Sequence, residues 1–208
     1  MINGSTAYVL NCGPQCNGTQ ASVAVLDLAS LTITGTIPVD GATWALLNGS
    51  TLYVAGTSPT NNACTGQTTA ATTCGRLDAV DLGSMTVTNS FVITNGYHDR
   101  MDLSVNGKLF VGANGCAEIG NVNNPSGEVR GCLSIVNINT GTVVIPPDNG
   151  DVTGLQGFTQ RNVEYVAEGG AFRVYDTTKD ILLINDFLPK GTINIVGYVG
   201  DIKAIDFF

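Results

Sequence analysis

Short apolar runs, none longer than a strand, alternate along the chain with clusters of Gly, Asn, Asp, Ser and Thr. That is the pattern of half-buried β-strands joined by tight turns. One run recurs four times as Thr6 to Leu10, Thr51 to Ala55, Lys108 to Gly112 and Val163 to Ala167. Turn formers precede each copy: Asn3-Gly4, Asn48-Gly49, Asn106-Gly107 and Arg161-Asn162. A second run ends each time in an acid or amide, at Asp27, Asp81, Asn137 and Asp176. A Ser, Thr or Gly turn follows it, and a new β run starts at Ile33, Val87, Val143 and Leu182. An Asp or Asn side chain at that point can accept hydrogen bonds from the amides of the turn, which explains the residue type.

The Asp/Asn positions are 54, 56 and 39 residues apart. The shortest gap contains about four strands in roughly 40 residues, the period of a propeller blade. The pattern therefore predicts an all-β chain, a β-propeller of about four four-stranded antiparallel blades in one domain over residues 1–208. The blades fall at about 1–40, 41–96, 97–150 and 151–190, with closing strands in 191–208. With strands a to d counted outward within a blade, the chain starts at the first a/b turn and lacks strand a of its first blade. Ile193 to Val196 has the composition to cover the open edge of Thr6 to Leu10, and Ile202 to Ile205 follows it. Half of a larger propeller, a closed small ring, an open array and another repeat fold such as a β-sandwich all remain open at this stage.

The stretch from Ser22 to Gly41, followed by Asn48 to Ala55, resembles the repeat of the bacterial YVTN-type β-propellers, which are surface and secreted proteins related to the NHL and WD40 propellers. The likeness is good over residues 6–56 and weaker to about 190. It implies a propeller fold and an extracellular setting, but no particular activity.

Composition narrows the classes further. Only 12% of residues are charged and 26 are glycine, which excludes a coiled coil. The net charge is -8, with six acids against two bases in the first half and eleven against seven in the second. No basic face is present for nucleic acid. No run of 18 apolar residues could span a membrane as a helix, and Met1-Ile2-Asn3-Gly4 does not start a signal peptide.

Cys12, Cys64 and Cys116 are each 52 residues apart and follow a strand b, and each has a second cysteine nearby at Cys16, Cys74 and Cys132. The expected pairs are Cys12 with Cys16, Cys64 with Cys74, and Cys116 with Cys132, each inside a b/c loop. With one histidine in the chain, structural zinc is the poorer account. Disulfides require an oxidising compartment, so the chain reads as exported: extracellular, cell-surface or periplasmic, with its signal peptide outside this sequence. In the fourth blade Gly169-Gly170 makes a tight turn in place of a cysteine loop.

Strand alternation places the b/c loops and the d/a connections at one end of the blades. There lies Tyr97-His98-Asp99-Arg100-Met101-Asp102, the one cluster of catalytic residue types. Successive strand residues face opposite ways, so His98 and Asp99 are poorly placed to share a site. Asp148 and Asp151 bring acid to the same rim, where calcium is a weakly supported ligand and no other cofactor is indicated. Trp44 is either a core residue or a stacking platform on the rim. No nucleophile elbow, P-loop or dinucleotide fingerprint occurs.

Trp44, Tyr97, His98, Asp99, Arg100, Asp148 and Asp151 are thus the candidate ligand-binding residues. The expected role is a non-catalytic binding or scaffold module for a protein or carbohydrate ligand at the cell surface. A lactonase-like or lyase-like propeller enzyme is the first alternative. The second is a structural subunit that self-associates through open strand edges.

Overall fold

The computed structural model describes residues 1–59, 73–116, 132–146, 150–158, 160–184 and 187–203. Among them the only helical turn is the 3-10 segment Gly13–Cys16; all other regular structure is β. The strands form four four-stranded antiparallel sheets. The first is β1 (Ile2–Asn3), β2 (Thr6–Asn11), β3 (Ser22–Asp27) and β4 (Thr32–Pro38) in chain order. The second is β5 (Trp44–Asn48), β6 (Thr51–Pro59), β7 (Thr73–Asp81) and β8 (Thr86–Ile93). The third runs from β9 (Tyr97–Leu103) through β10 (Lys108–Asn114) and β11 (Cys132–Asn137) to β12 (Val143–Val144). The fourth comprises β13 (Gly154–Phe158), β14 (Val163–Asp176), β15 (Ile181–Leu182) and β16 (Thr192–Val199). The chain divides into two compact units, Met1–His98 and Asp99–Phe208.

The repeated sequence becomes repeated geometry. Thr6 pairs with Asp27, Thr51 with Asp81 and Lys108 with Asn137. A bond then closes each hairpin, from Leu28 N–H to Ser5 O, Leu82 N–H to Ser50 O and Ile138 N–H to Gly107 O. Thr177 N–H to Asn162 O is the corresponding bond of the fourth sheet, so β14 folds back on itself at Gly169-Gly170, as the sequence predicts. Gly4, Gly49, Gly107 and Asn162 all have positive φ, the conformation that the a/b turn demands.

Behind each hairpin the Asp or Asn closes the next turn. Asp27 Oδ1 accepts from Ala29 N–H at 2.9 Å and Ser30 N–H at 2.6 Å, and Asp81 Oδ1 accepts from Ser84 N–H at 2.6 Å. Asn137 and Asp176 accept from the amides of Thr140 and Thr178 in the same manner. These donors favour the charged form and hold the carboxyls of Asp27, Asp81 and Asp176 below the usual range. Four residues on, Leu31, Met85, Gly141 and Asp180 all take positive φ.

The middle strands are buried because apolar residues occupy both of their faces. In the first unit Tyr8, Val23, Val25, Ile37, Leu52 and Val54 form one cluster. In the second, Phe110, Leu133, Ile135, Val166 and Tyr175 form another, with Phe110 edge-on to Tyr175 at 6.0 Å.

Two expectations about the chain ends are corrected. The first blade does have an inner strand, the two-residue β1, which pairs with β2 at Ile2↔Ala7 and Asn3↔Thr6. Ile193 to Val196 is not a closing strand for Thr6 to Leu10, since β16 extends the outer edge of the fourth sheet: Ala171↔Asn194, Phe172↔Ile193 and Arg173↔Thr192. The cause is local. β15 covers only Tyr175 and Asp176, which leaves the edge at Ala171 to Arg173 open, and β16 reaches it through a short loop with little closure entropy.

Candidate functional site

At the b/c end of the first sheet, Pro14 starts the short 3-10 turn, and Cys12 is bonded to Cys16 with Cα atoms 5.7 Å apart. Gly13 has φ of 55°, and a Cβ there would strike the backbone of Gln20 and Ala21, so the loop requires glycine. Gln15 Oε1 accepts from Thr57 N–H at 2.7 Å, which ties the stapled loop to the edge of the second sheet. Cys74 and Cys116 are buried and disulfide-bonded, and no cysteine is free among the described residues. Cys64, the expected partner of Cys74, lies outside the described residues, as does the side chain of Cys132, the expected partner of Cys116. In the fourth sheet the tight turn is bracketed by an ion pair, Arg173 Nε to Glu168 Oε2 at 2.6 Å. Burial pushes Glu168 up to about 7, against the pull of Arg173.

The predicted rim residues separate by burial. Trp44, the first residue of β5, is 40% exposed, which removes the core reading for it, and Tyr97 at the start of β9 is 52% exposed. His98 faces the opposite way and is fully buried. Its Nε2 donates to Thr94 O at 2.8 Å, and burial depresses its pKa to about 4, so the ring is neutral. The His98 carbonyl accepts from Thr43 Oγ1 at 2.7 Å, which fastens the residue before Trp44 to the residue after Tyr97.

Asp99, Arg100 and Asp151 come together in the second unit. Asp99 accepts from Asn114 Nδ2 at 3.0 Å and lies 3.4 Å from Arg100 Nη1. Burial raises its pKa, Arg100 opposes that, and the charge of Asp151 adds to it. Arg100 Nε donates to Thr153 O at 3.0 Å, and Asp151 Oδ1 accepts from Gly115 N–H at 2.9 Å. These contacts join β9, β10 and the segment before β13. Asp148 lies outside the described residues. Among those described, no three of His, Cys, Asp and Glu converge as metal ligands.

Two acidic sites are absent from the sequence prediction. Asp78 is buried on β7, where Asp40 N–H donates to it at 2.7 Å and desolvation raises its pKa. It lines an open groove of about 210 Å³ with Asp40, Ser90 and Gln20. In the second unit Asp102 faces Glu164, which is fully buried and pushed up to about 10 by desolvation and then by the Asp102 charge. The Glu164 position could have been found in the sequence, because it breaks the repeat: Leu52 and Leu109 occupy it in the second and third copies. Asp78 carries no such signal, since an acid inside a strand reads as its solvent face.

No known sequence-family profile matches the chain, and no curated protein matches it by sequence. Solved structures match it by shape. Hydrazine synthase of Kuenenia stuttgartiensis aligns at 17% identity and a TM-score of 0.59, over 85% of this chain and 51% of that one. A chain of the mitotic checkpoint complex aligns at 12% identity and 0.56, over 96% of this chain and 55% of its own. The β-propeller domain of Myceliophteria thermophila Cps50 (Swd1) aligns at 10% identity and 0.54, over 95% and 61%. The chain thus spans between half and three fifths of each neighbour. At these identities the likeness establishes the fold, a β-propeller, and nothing finer.

Proposed function

We propose that the chain is an exported propeller of YVTN type that acts as a binding or scaffold module with no catalysis of its own. The observation that carries this reading is the contrast at the rim in the first unit. Trp44 and Tyr97 offer large exposed aromatic surfaces, while His98 between them in the network is buried and locked to Thr94. Exposed aromatics held on rigid strands suit stacking on sugar rings or packing against protein, and they cost little conformational entropy on binding. The stapled loop at Cys12–Cys16 adds a second fixed element at that end and supports an oxidising compartment.

The test is a glycan array and a displayed-peptide library probed with the wild-type chain and with a Trp44→Ala/Tyr97→Ala double variant. The expected result is a selected ligand whose binding the double variant loses while its circular dichroism is unchanged. Hydrolysis of lactone or ester substrates by the purified protein, or binding indifferent to both substitutions, refutes it.

The exposed β16 favours a second reading, self-association. Among the described residues it pairs only with β14, and Ile193, Val196 and Tyr198 are exposed on it. An apolar strand with a free edge is a template for another strand.

A further inference from the structure

In the fourth sheet three neighbouring positions depart together from the repeat. Glu164 stands where the second and third copies have Leu52 and Leu109, and Thr177, after the turn-closing Asp176, stands where they have Leu82 and Ile138. Gly157 faces Glu164 across the strand pair, where Leu47 faces Leu52 in the second sheet. Two apolar positions of the repeat now carry oxygens, and a third has become a space. A Cβ on Gly157 would come within 2.9 Å of Glu164 Oε2 and 3.4 Å of Asp102 Oδ2, so the glycine admits both carboxyls.

The oxygens so gathered are under-satisfied. The hydroxyl of Thr177 is buried without a hydrogen bond, the Glu164 carboxyl meets only the carboxyl of Asp102, and both Glu164 and Thr177 are 0% exposed. Thr177 satisfies its backbone elsewhere, through Asn162 and Asn106, so only its hydroxyl is left over. That hydroxyl borders a cavity of about 100 Å³ lined also by Asp102, Ser104, Gln156 and Phe158. Asp102 is held in place by the amides of Leu103 at 2.9 Å and Gly157 at 2.5 Å. Among the described residues no Lys or Arg pairs with either carboxyl; Lys108 is taken by Asp180, and Arg161 lies over Phe158.

We propose that the Asp102 wall of this cavity, with Glu164 behind it at Gly157, is a site for a hard divalent cation of calcium type, held by the carboxyl oxygens of Asp102 and Glu164 and the hydroxyl of Thr177. The donor set is entirely oxygen, as calcium requires, and water and the Gln156 amide can complete the shell. With no cation bound, a proton held on Glu164 relieves the repulsion between the facing carboxyls, and a divalent cation takes the place of that proton; the repeat has replaced leucine to create the pair. With only two carboxyls the affinity belongs to the weak class of extracellular modules, about 0.1–1 mM.

Calorimetric titration of calcium chloride into the chelator-treated chain is expected to give one site in that range, with magnesium weaker. Glu164→Gln preserves the shape and should weaken calcium at least tenfold. Glu164→Leu restores the residue of the other copies, so it should abolish binding while the metal-free protein stays folded. Absence of binding by the wild type at about 10 mM calcium, far above the affinity expected of such a site, overturns the inference. So does an unchanged affinity in Glu164→Gln, or a loss of binding in Asp151→Asn that Glu164→Gln does not share.

Discussion

At His98 the type of residue and its environment point to different roles. Histidine beside carboxylates in a connecting segment reads as a rim base, yet the ring is fully buried and its pKa is held at about 4 against 6.5 for the unfolded chain. Strand alternation, legible in the sequence, separates it from Asp99; its burial depends on side chains distant in sequence and is not legible. The depressed pKa has a consequence for stability. Between pH 6.5 and 4 the unfolded chain takes up a proton that the folded chain refuses, so the stability that His98 contributes is complete above 6.5 and falls as pH drops toward 4. The full loss is about 3 kcal/mol. Urea unfolding at pH 7 and pH 4.5 should show a smaller acid drop for His98→Gln than for the wild type. Equal drops would assign the acid limb to other groups.

At the scale of elements, the turn closers show how far local chemistry can be read. Asp27, Asp81, Asn137 and Asp176 are identifiable as the residue that ends each recurring apolar run before a turn, and each accepts the amides expected of it. The residue four places on was not identifiable, because Leu31, Met85, Gly141 and Asp180 share a backbone conformation and no side-chain property. Leucine at φ of 56° crowds its Cβ against the following carbonyl, a cost that asparagine, whose short amide can bond locally, largely avoids. Leu31 is 74% exposed, so its side chain contributes little packing. Leu31→Asn is therefore expected to stabilise the chain by about 0.5–1 kcal/mol, less than the full cost of the left-handed conformation. Thermal denaturation checks it, and a lowered midpoint would mean that Leu31 packs in a way its exposure conceals. β16 marks the opposite limit of legibility. Its β-branched composition identifies a strand, but the partner depended on how early β15 ends, which composition does not reveal.

For the whole molecule, the repeat supplied the architecture and the breaks in the repeat supplied the chemistry. Leu52, Leu109 and their neighbours make the fold predictable, while Glu164, Thr177 and Gly157 make the fourth sheet distinct. The free edge of β16 belongs to the same scale, because an edge is satisfied only by something outside its own sheet. Val196 is fully exposed and Tyr198 is 77% exposed, on a strand that among the described residues pairs with β14 alone. A second copy of the chain offers an identical edge, and two such strands can pair antiparallel about a two-fold axis, which closes the assembly at a dimer. Static light scattering should therefore give twice the monomer mass at micromolar concentration. Val196→Lys places a charge on that edge, where its like-charged counterpart would face it, and should return the chain to monomer with its urea midpoint unchanged, since the valine packs against nothing in the monomer. A wild-type chain that stays monomeric over the same range would show that β16 is covered by no copy of itself, and a dimer that persists in Val196→Lys would place the interface elsewhere.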